Sequence, residues 1–249
     1  MKKLILKLLM LILTVVFLVS GFFVVSGLIS NKKTEQLYDK LQSEYVTPMT
    51  PPSEEKDEEQ SEIDISVDFS TLLNKNSDIV GWLYIPNTVV NYPVVQAENN
   101  EKYLRRDLEG KKLTAGTLFA DFRCGKIGLD PNYIIFGHNM RNGSMFKTIT
   151  DYKSQSFYDS NPVLYYLTPN KNYKIEPVLG VVVPDDDVVY DLAFDKTQMV
   201  EYINSKKDKS TFSSSVTFSV EDSFITLSTC SKEYENARFV LIGKITEVK

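Results

Sequence analysis

The sequence predicts a mainly β domain, an antiparallel barrel of about eight strands with peripheral helices, standing behind an N-terminal transmembrane helix. Three observations carry this reading. Leu8 to Ser30 is uncharged and overwhelmingly apolar. Beyond residue 63 the chain breaks into many short apolar runs, two of them with period-two alternation, separated by turn residues. The helical candidates between those runs are few and short. Composition alone would also admit a β-sandwich.

A span of about 20 apolar residues crosses a bilayer as a helix, and Leu8–Ser30 meets that length. A cleavable signal peptide is the rival, but its apolar core runs to only about 7–15 residues. No small-x-small cleavage site precedes Asn31-Lys32-Lys33, which favours an uncleaved signal anchor. Lys2, Lys3 and Lys7 before the span face Lys32 and Lys33 after it, so the positive-inside count places the N-terminus in the cytoplasm by a small margin. Leu37 and Leu41, four residues apart, suit a short helix leaving the membrane. Thr47 to Glu62 combines three prolines with six acidic side chains against Lys56 alone, which reads as a solvated linker. An acidic run can also bind a basic partner, but nothing aromatic or amphipathic is interleaved here.

Residues 65–249 are enough for one compact domain with a substantial core. Asp68 caps a helix containing Phe69, Leu72 and Leu73, and Ile79 to Ile85 turns strand-like before Pro86-Asn87 reverses the chain. Further strand candidates are Val89–Val95, Leu118–Ala120, Tyr133–Gly137, Val163–Leu167, Tyr173–Val183, Ser223–Cys230 and Arg238–Ile242. Helical candidates are Glu101–Arg106, Met145–Tyr152 and Thr197–Ser205. No internal repeat is evident.

One histidine and two cysteines cannot furnish the four Cys or His ligands of a usual structural zinc site. No phosphate loop, dinucleotide fingerprint or Cys-x-x-Cys motif is present, so no metal and no cofactor is expected. A net charge of −5 leaves no global basic footprint for nucleic acid.

The reactive groups sit at strand ends. Cys230 closes the alternating segment from Ser223, and the polar connection 231–236 turns the chain back into the strand beginning near Arg238. Antiparallel pairing would bring thiol and guanidinium together, a useful combination because the thiolate is the nucleophile and a cation can stabilise it or an oxyanion. His138 ends the apolar run Tyr133–Gly137 and is the chain's one imidazole, hence its one side chain that ordinarily titrates near neutrality. Each residue also has a plainer reading. Cys230 could be a small buried hydrophobe, or pair with Cys124 in a structural disulfide outside the cell. His138 could be a core or loop residue, and Arg238 an ion-pair partner of Glu233 or Glu235.

Taken together, Thr226-Leu227-Ser228-Thr229-Cys230, the downstream Arg238 and the upstream His138 resemble the sortases, with class B the nearest match. The likeness extends to Phe136–Phe146 and Gly81-Trp82-Leu83-Tyr84-Ile85-Pro86, and spans Asp68 to the C-terminus. It implies a barrel rather than a sandwich. It also implies a membrane-anchored cysteine transpeptidase that cuts a C-terminal sorting signal after Thr in exported proteins. The reaction would pass through a thioester and give the acyl group to a cell-wall cross-bridge or precursor amine, or to a pilin lysine. Cys230, His138 and Arg238 would be catalytic, and Asn100, Leu104 and Ser228 substrate-binding. Residues 1–7 would be cytoplasmic, 8–30 the signal anchor, 31–64 an extracellular stalk and acidic linker, and 65–249 the catalytic domain on the outer face. One departure stands out: Ser231-Lys232 follows the cysteine where relatives often carry an acidic residue, so any auxiliary carboxylate is Glu233, Glu235 or absent, and no acid role is assigned there. A tethered peptide-binding protein that keeps the fold without turnover, and a secreted cysteine peptidase, are the alternatives.

Overall fold

In the computed structural model, residues 2–49 and 63–248 are described. Helix α1 runs without a break from Lys2 to Tyr45, joining the apolar span to the following segment. An 18-residue window within it has a mean hydropathy of 2.9 and none of that window is buried, so the apolar face is open for lipid. The last three turns behave differently. Thr34, Tyr38 and Leu41 are buried against the domain, Tyr38 Oη donates to the Gly116 carbonyl at 2.6 Å, and Gln42 Nε2 donates to the Asn91 carbonyl at 3.0 Å. The C-terminal end of α1 is therefore part of the domain's core.

Strands β1 (Val46–Pro48) and β2 (Ile65–Val67) pair antiparallel, with Val46 opposite Val67, and hold together the two ends of the acidic stretch. Residues 50–62, most of that expected linker, lie outside the described residues. Helix α2 (Phe69–Lys75) is capped as expected: Asp68 accepts the Thr71 N–H at 3.1 Å and the Ser70 and Thr71 hydroxyls at 2.6 Å each.

Eight further strands close a barrel. They are β3 (Ile79–Tyr84), β4 (Asn91–Val95), β5 (Leu118–Ala120), β6 (Asn132–Phe136), β7 (Leu164–Leu167), β8 (Asn172–Pro184), β9 (Ser223–Cys230) and β10 (Ala237–Val248), ordered β10-β8-β7-β3-β4-β5-β6-β9. Six of the neighbour pairs are antiparallel, whereas β4–β5 and β6–β9 are parallel. The core side chains include Trp82, Tyr166, Phe146 and Phe239, all fully buried. Trp82 satisfies its indole by donating to Asn91 Oδ1 at 2.6 Å. Helix α3 (Gln155–Ser160) follows a 3₁₀ turn at Thr148–Lys153, and α4 (Lys196–Lys206) packs Met199, Tyr202 and Ile203 beside Val181, Val240 and Ile242 on the barrel's outer face.

Two helical expectations need correction. Glu101–Arg106 is a run of turns: Asn99 Oδ1 takes the Glu101 and Lys102 N–H groups, Leu104 N reaches back three residues to Glu101 O, and Arg106 bridges Lys112. An Asn side chain that captures backbone donors competes with the helix for them. Met145 has φ 58° and is not helical, so the helical turn begins only at Thr148.

Because Leu41 is 2 % exposed, Leu41→Ala should lower the domain's unfolding free energy by about 2–5 kcal/mol. Denaturant melts of detergent-solubilised protein would show it, and an unchanged midpoint would mean that the helix end does not pack as described.

Candidate active site

The site is built where β6, β9 and β10 end together. Parallel pairing sets Phe136 opposite Ser228, so the chain two residues beyond each carries His138 and Cys230 to the same end of the barrel. Antiparallel pairing sets Arg238 directly opposite Cys230. Every residue of β9 is buried until Cys230, which is exposed.

Local bonds hold these ends. Thr229 Oγ1 donates to the Gly137 carbonyl at 2.6 Å, Asn139 Nδ2 donates to the Cys230 carbonyl at 2.9 Å, and Gly137 N donates to Ser228 O at 3.2 Å. Gly137 is required for close approach: a Cβ there would stand 2.5 Å from Leu118 Cδ2 and 2.7 Å from the Phe146 ring. The loop after His138 then folds back, with Phe146 N donating to His138 O at 2.9 Å.

Arg238 Nη1 lies 3.3 Å from Cys230 Sγ, while Nη2 lies 3.5 Å from Asp185 Oδ2. His138 Nε2 lies 2.8 Å from the Leu104 carbonyl. A carbonyl only accepts, so Nε2 carries the proton and Nδ1 is the nitrogen left to exchange one. Burial pushes the imidazole below its ordinary range; the Leu104 bond works the other way, and the positive charge of Arg105 adds to the depression.

A cavity of about 370 Å³ opens on this strand end. It collects all six residues singled out from the sequence: Asn100, Leu104, His138, Ser228, Cys230 and Arg238. Asn100 and Leu104 reach it from turns rather than from a helix. Asn100 is also tied into the wall, donating to Asp121 Oδ2 at 3.2 Å and accepting from Phe122 N at 3.0 Å. Ser228 is buried and shares a 2.8 Å hydrogen bond with Tyr190 Oη.

Among the polar lining residues, Tyr190, Asp121, Arg123 and Asp185 were not singled out from the sequence. Tyr190 stacks on Phe136 and its phenol is pushed up to about 12 by burial, so it stays neutral. Burial alone would raise Asp121, but Arg123 grips both its oxygens, at 2.9 and 2.7 Å, and its carboxyl stays below the usual range. Asp185 follows Pro184, the residue opposite Ala237, and so arrives beside Arg238. The available signals were the acidic run 185–187 at a strand end and the Asp-x-Arg spacing of 121 and 123. Glu233 is committed elsewhere. Lys153 bonds both Glu233 and Ser231, and the cation holds the Glu233 carboxyl down at about 2.

Both cysteines are free, which removes the disulfide reading. Cys124 is buried, its sulfur accepts the Ile134 N–H at 3.3 Å, and burial pushes its thiol up to about 12.

Comparison with known proteins places these features among relatives. A family model described as the Sortase domain matches residues 83–246. The chain is 34% identical over 245 residues to Sortase B of Listeria monocytogenes, covering 96% of each. It is 30% identical over 240 residues to Sortase B of Staphylococcus aureus, covering 95% of each. Among solved structures, the Staphylococcus aureus sortase B–substrate complex aligns with a TM-score of 0.68 at 32% identity, over 73% of this chain and 85% of that one. A sortase B complexed with triglycine aligns at 0.68 and 32%, over 73% and 86%. Sortase B from B. anthracis in complex with AAEK1 aligns at 0.72 and 28%, over 88% and 99%.

Native-state alkylation at pH 8 should add one label, at Cys230, because the buried Cys124 thiol has almost no thiolate there. Intact-mass spectrometry giving two labels on folded protein would contradict the burial of Cys124.

Proposed function

The chain belongs to the sortase family, within class B and with its cysteine transpeptidase activity, and on that premise we propose that it cuts a C-terminal sorting signal after threonine and passes the acyl group to an amine of the cell wall. The observation that carries this reading is one strand end holding an exposed thiol, a guanidinium 3.3 Å from it and the chain's one imidazole in the same cavity. The matched sortase B structures with a substrate and with triglycine support a peptide donor and a small primary amine as acceptor.

The steps balance without water or a redox partner. Cys230 Sγ, as thiolate, attacks the threonine carbonyl carbon and the π electrons move to oxygen. As the oxyanion collapses, the C–N bond breaks and the leaving amine takes a proton from His138, leaving a thioester. The incoming amine gives a proton back to His138, attacks the thioester carbon and expels the thiolate. One amide is broken and one is made. Arg238 sits where charge moves from sulfur to oxygen, so a single cation serves both. Asp185 holds the far side of the guanidinium and keeps Nη1 turned toward the sulfur. Asn100, Leu104 and Ser228 line the groove that receives the signal, with Tyr190 holding the Ser228 hydroxyl. Helix α1 would anchor the domain, the N-terminus lying in the cytoplasm and the cavity outside.

Cys230→Ala should reduce cleavage of a sorting-signal peptide to background, since neither Ser228, which is buried, nor Thr229 can replace a thiolate. With wild-type protein, added triglycine should divert the product from free acid to amide. Undiminished cleavage by the alanine variant would remove Cys230 as the nucleophile, and hydrolysis that triglycine cannot divert would make the chain a peptidase.

Free thiols ordinarily titrate near 8.5 and imidazoles near 6.5, so a thiolate–imidazolium pair gives a bell-shaped profile whose acid limb reports the imidazole. Burial lowers His138, so protonated imidazole is populated only at lower pH than for a free histidine. The acid limb of kcat/KM should therefore fall below pH ~6.5. An acid limb above that value, with chemistry rate-limiting, would exclude half-buried His138 as the proton carrier.

A further inference from the structure

Helix α1 does more than extend from the domain, because a loop of the domain lies against the end of its apolar span. Residues 8–30 extend about 34 Å at 1.5 Å per residue, enough to cross a hydrocarbon core of about 30 Å. Ser30, the last residue of that span, bonds Thr114 through the two hydroxyls at 3.1 Å. A hollow beside it is bordered by Ser26 and Ile29 within the span, then Lys33, Lys112 and Leu113. A second hollow, bordered by Leu104, Arg105, Arg106 and Glu101, shares Lys112 with the first. The loop 104–114 thus reaches alongside the final turn of the apolar span. It cannot swing away freely, since Thr34, Tyr38 and Leu41 are buried against the domain and Tyr38 Oη holds Gly116 O at 2.6 Å.

The charges at this level are one-sided. Lys33, Arg105, Arg106 and Lys112 border the two hollows, and among the described residues none of the four makes an ion pair. Glu101 is the one carboxylate in either lining. Of the nearby acids, Asp107 is buried and accepts the backbone N–H groups of Glu109 and Lys111, while Glu109 is occupied by Lys75 and Lys111. Four cations against one carboxylate, gathered at the end of the apolar span, match the negative surface of an anionic leaflet. Arginine forks bind phosphate oxygens in pairs, and long lysine stems let the ammonium rise to the interface.

We propose that Lys33, Arg105, Arg106 and Lys112 bind the phosphates of anionic phospholipids around the helix, so that loop 104–114 rests on the leaflet the domain faces. The proposal relies on the membrane-anchor reading of residues 8–30. Its consequence for the site is direct: the loop begins at Leu104, which borders the reactive cavity and whose carbonyl receives His138 Nε2. Lipid engagement would steady one wall of the substrate groove.

The test uses the full chain in nanodiscs of phosphatidylcholine alone or mixed with phosphatidylglycerol, with amide hydrogen exchange read by mass spectrometry. Peptides from 104–114 should exchange several-fold more slowly in the phosphatidylglycerol discs, and the triple variant R105Q/R106Q/K112Q should erase that difference. Equal exchange in both discs, or a difference that survives in the variant, overturns the proposal. Residues 8–30 are an internal control. If they are protected in both discs while the loop ignores lipid charge, this proposal alone fails; if they exchange freely, the membrane reading fails and takes the proposal with it.

Discussion

The parallel register of β6 and β9, with Phe136 facing Ser228, is the constraint from which the reactive arrangement follows. In an antiparallel pair the two strands would end at opposite ends of the barrel, and an imidazole after one could not share a cavity with a thiol on the other. Parallel pairing brings both C-terminal ends together, and the antiparallel partner β10 then starts at the same end with Arg238. Such a pairing cannot be made by a tight hairpin, so the chain between β6 and β9 must leave the sheet and return. Residues 137–222 supply β7, β8 and the helices in that interval. The long excursion between His138 and Cys230 is therefore a requirement of the site.

Much of this was legible from local pattern, and the missing part is of one kind. Short apolar runs and, in two segments, alternation located the eight barrel strands and put Cys230 and His138 at strand ends, because local composition and side-chain period report local backbone. Period says nothing about which strand lies alongside which, so the two parallel pairs could not be read. Nor could Asp185, whose approach to Arg238 depends on β8 pairing with β10. The Glu101–Arg106 misreading has a different cause: propensity favoured a helix, while Asn99 captured its first donors. Leu37 and Leu41 signalled a helix correctly, but that it was one with the apolar span and packed into the domain is tertiary information.

Charge placement around the nucleophile accounts for the departure noted after Cys230. With Ser231 and Lys232 in the next two positions, no carboxylate on β9 competes for Arg238, and Glu233 is drawn off by Lys153. Asp185 approaches from the far strand instead, leaving the Nη1 side of the guanidinium to the sulfur. At 3.5 Å and partly exposed, this pair adds little to stability. Its effect is directional: a planar guanidinium held on one edge presents its other edge at a fixed angle. A carboxylate between arginine and thiol would have opposed the thiolate; one beyond the arginine orients the cation without standing next to the sulfur.

A further set of contacts links α1 to the site. Tyr38 bonds Gly116, at φ 59° where a Cβ would stand 2.4 Å from the Leu104 carbonyl oxygen. That carbonyl is the one receiving His138. Helix, glycine turn, Leu104 and imidazole form one chain of contacts in which each member fixes the next. A side chain at Gly116 would clash with Leu104 and strain the backbone together, so the turn that seats α1 also seats the acceptor that sets the histidine tautomer. The orientation of His138 thus depends on packing against the end of the helix that carries the apolar N-terminal span.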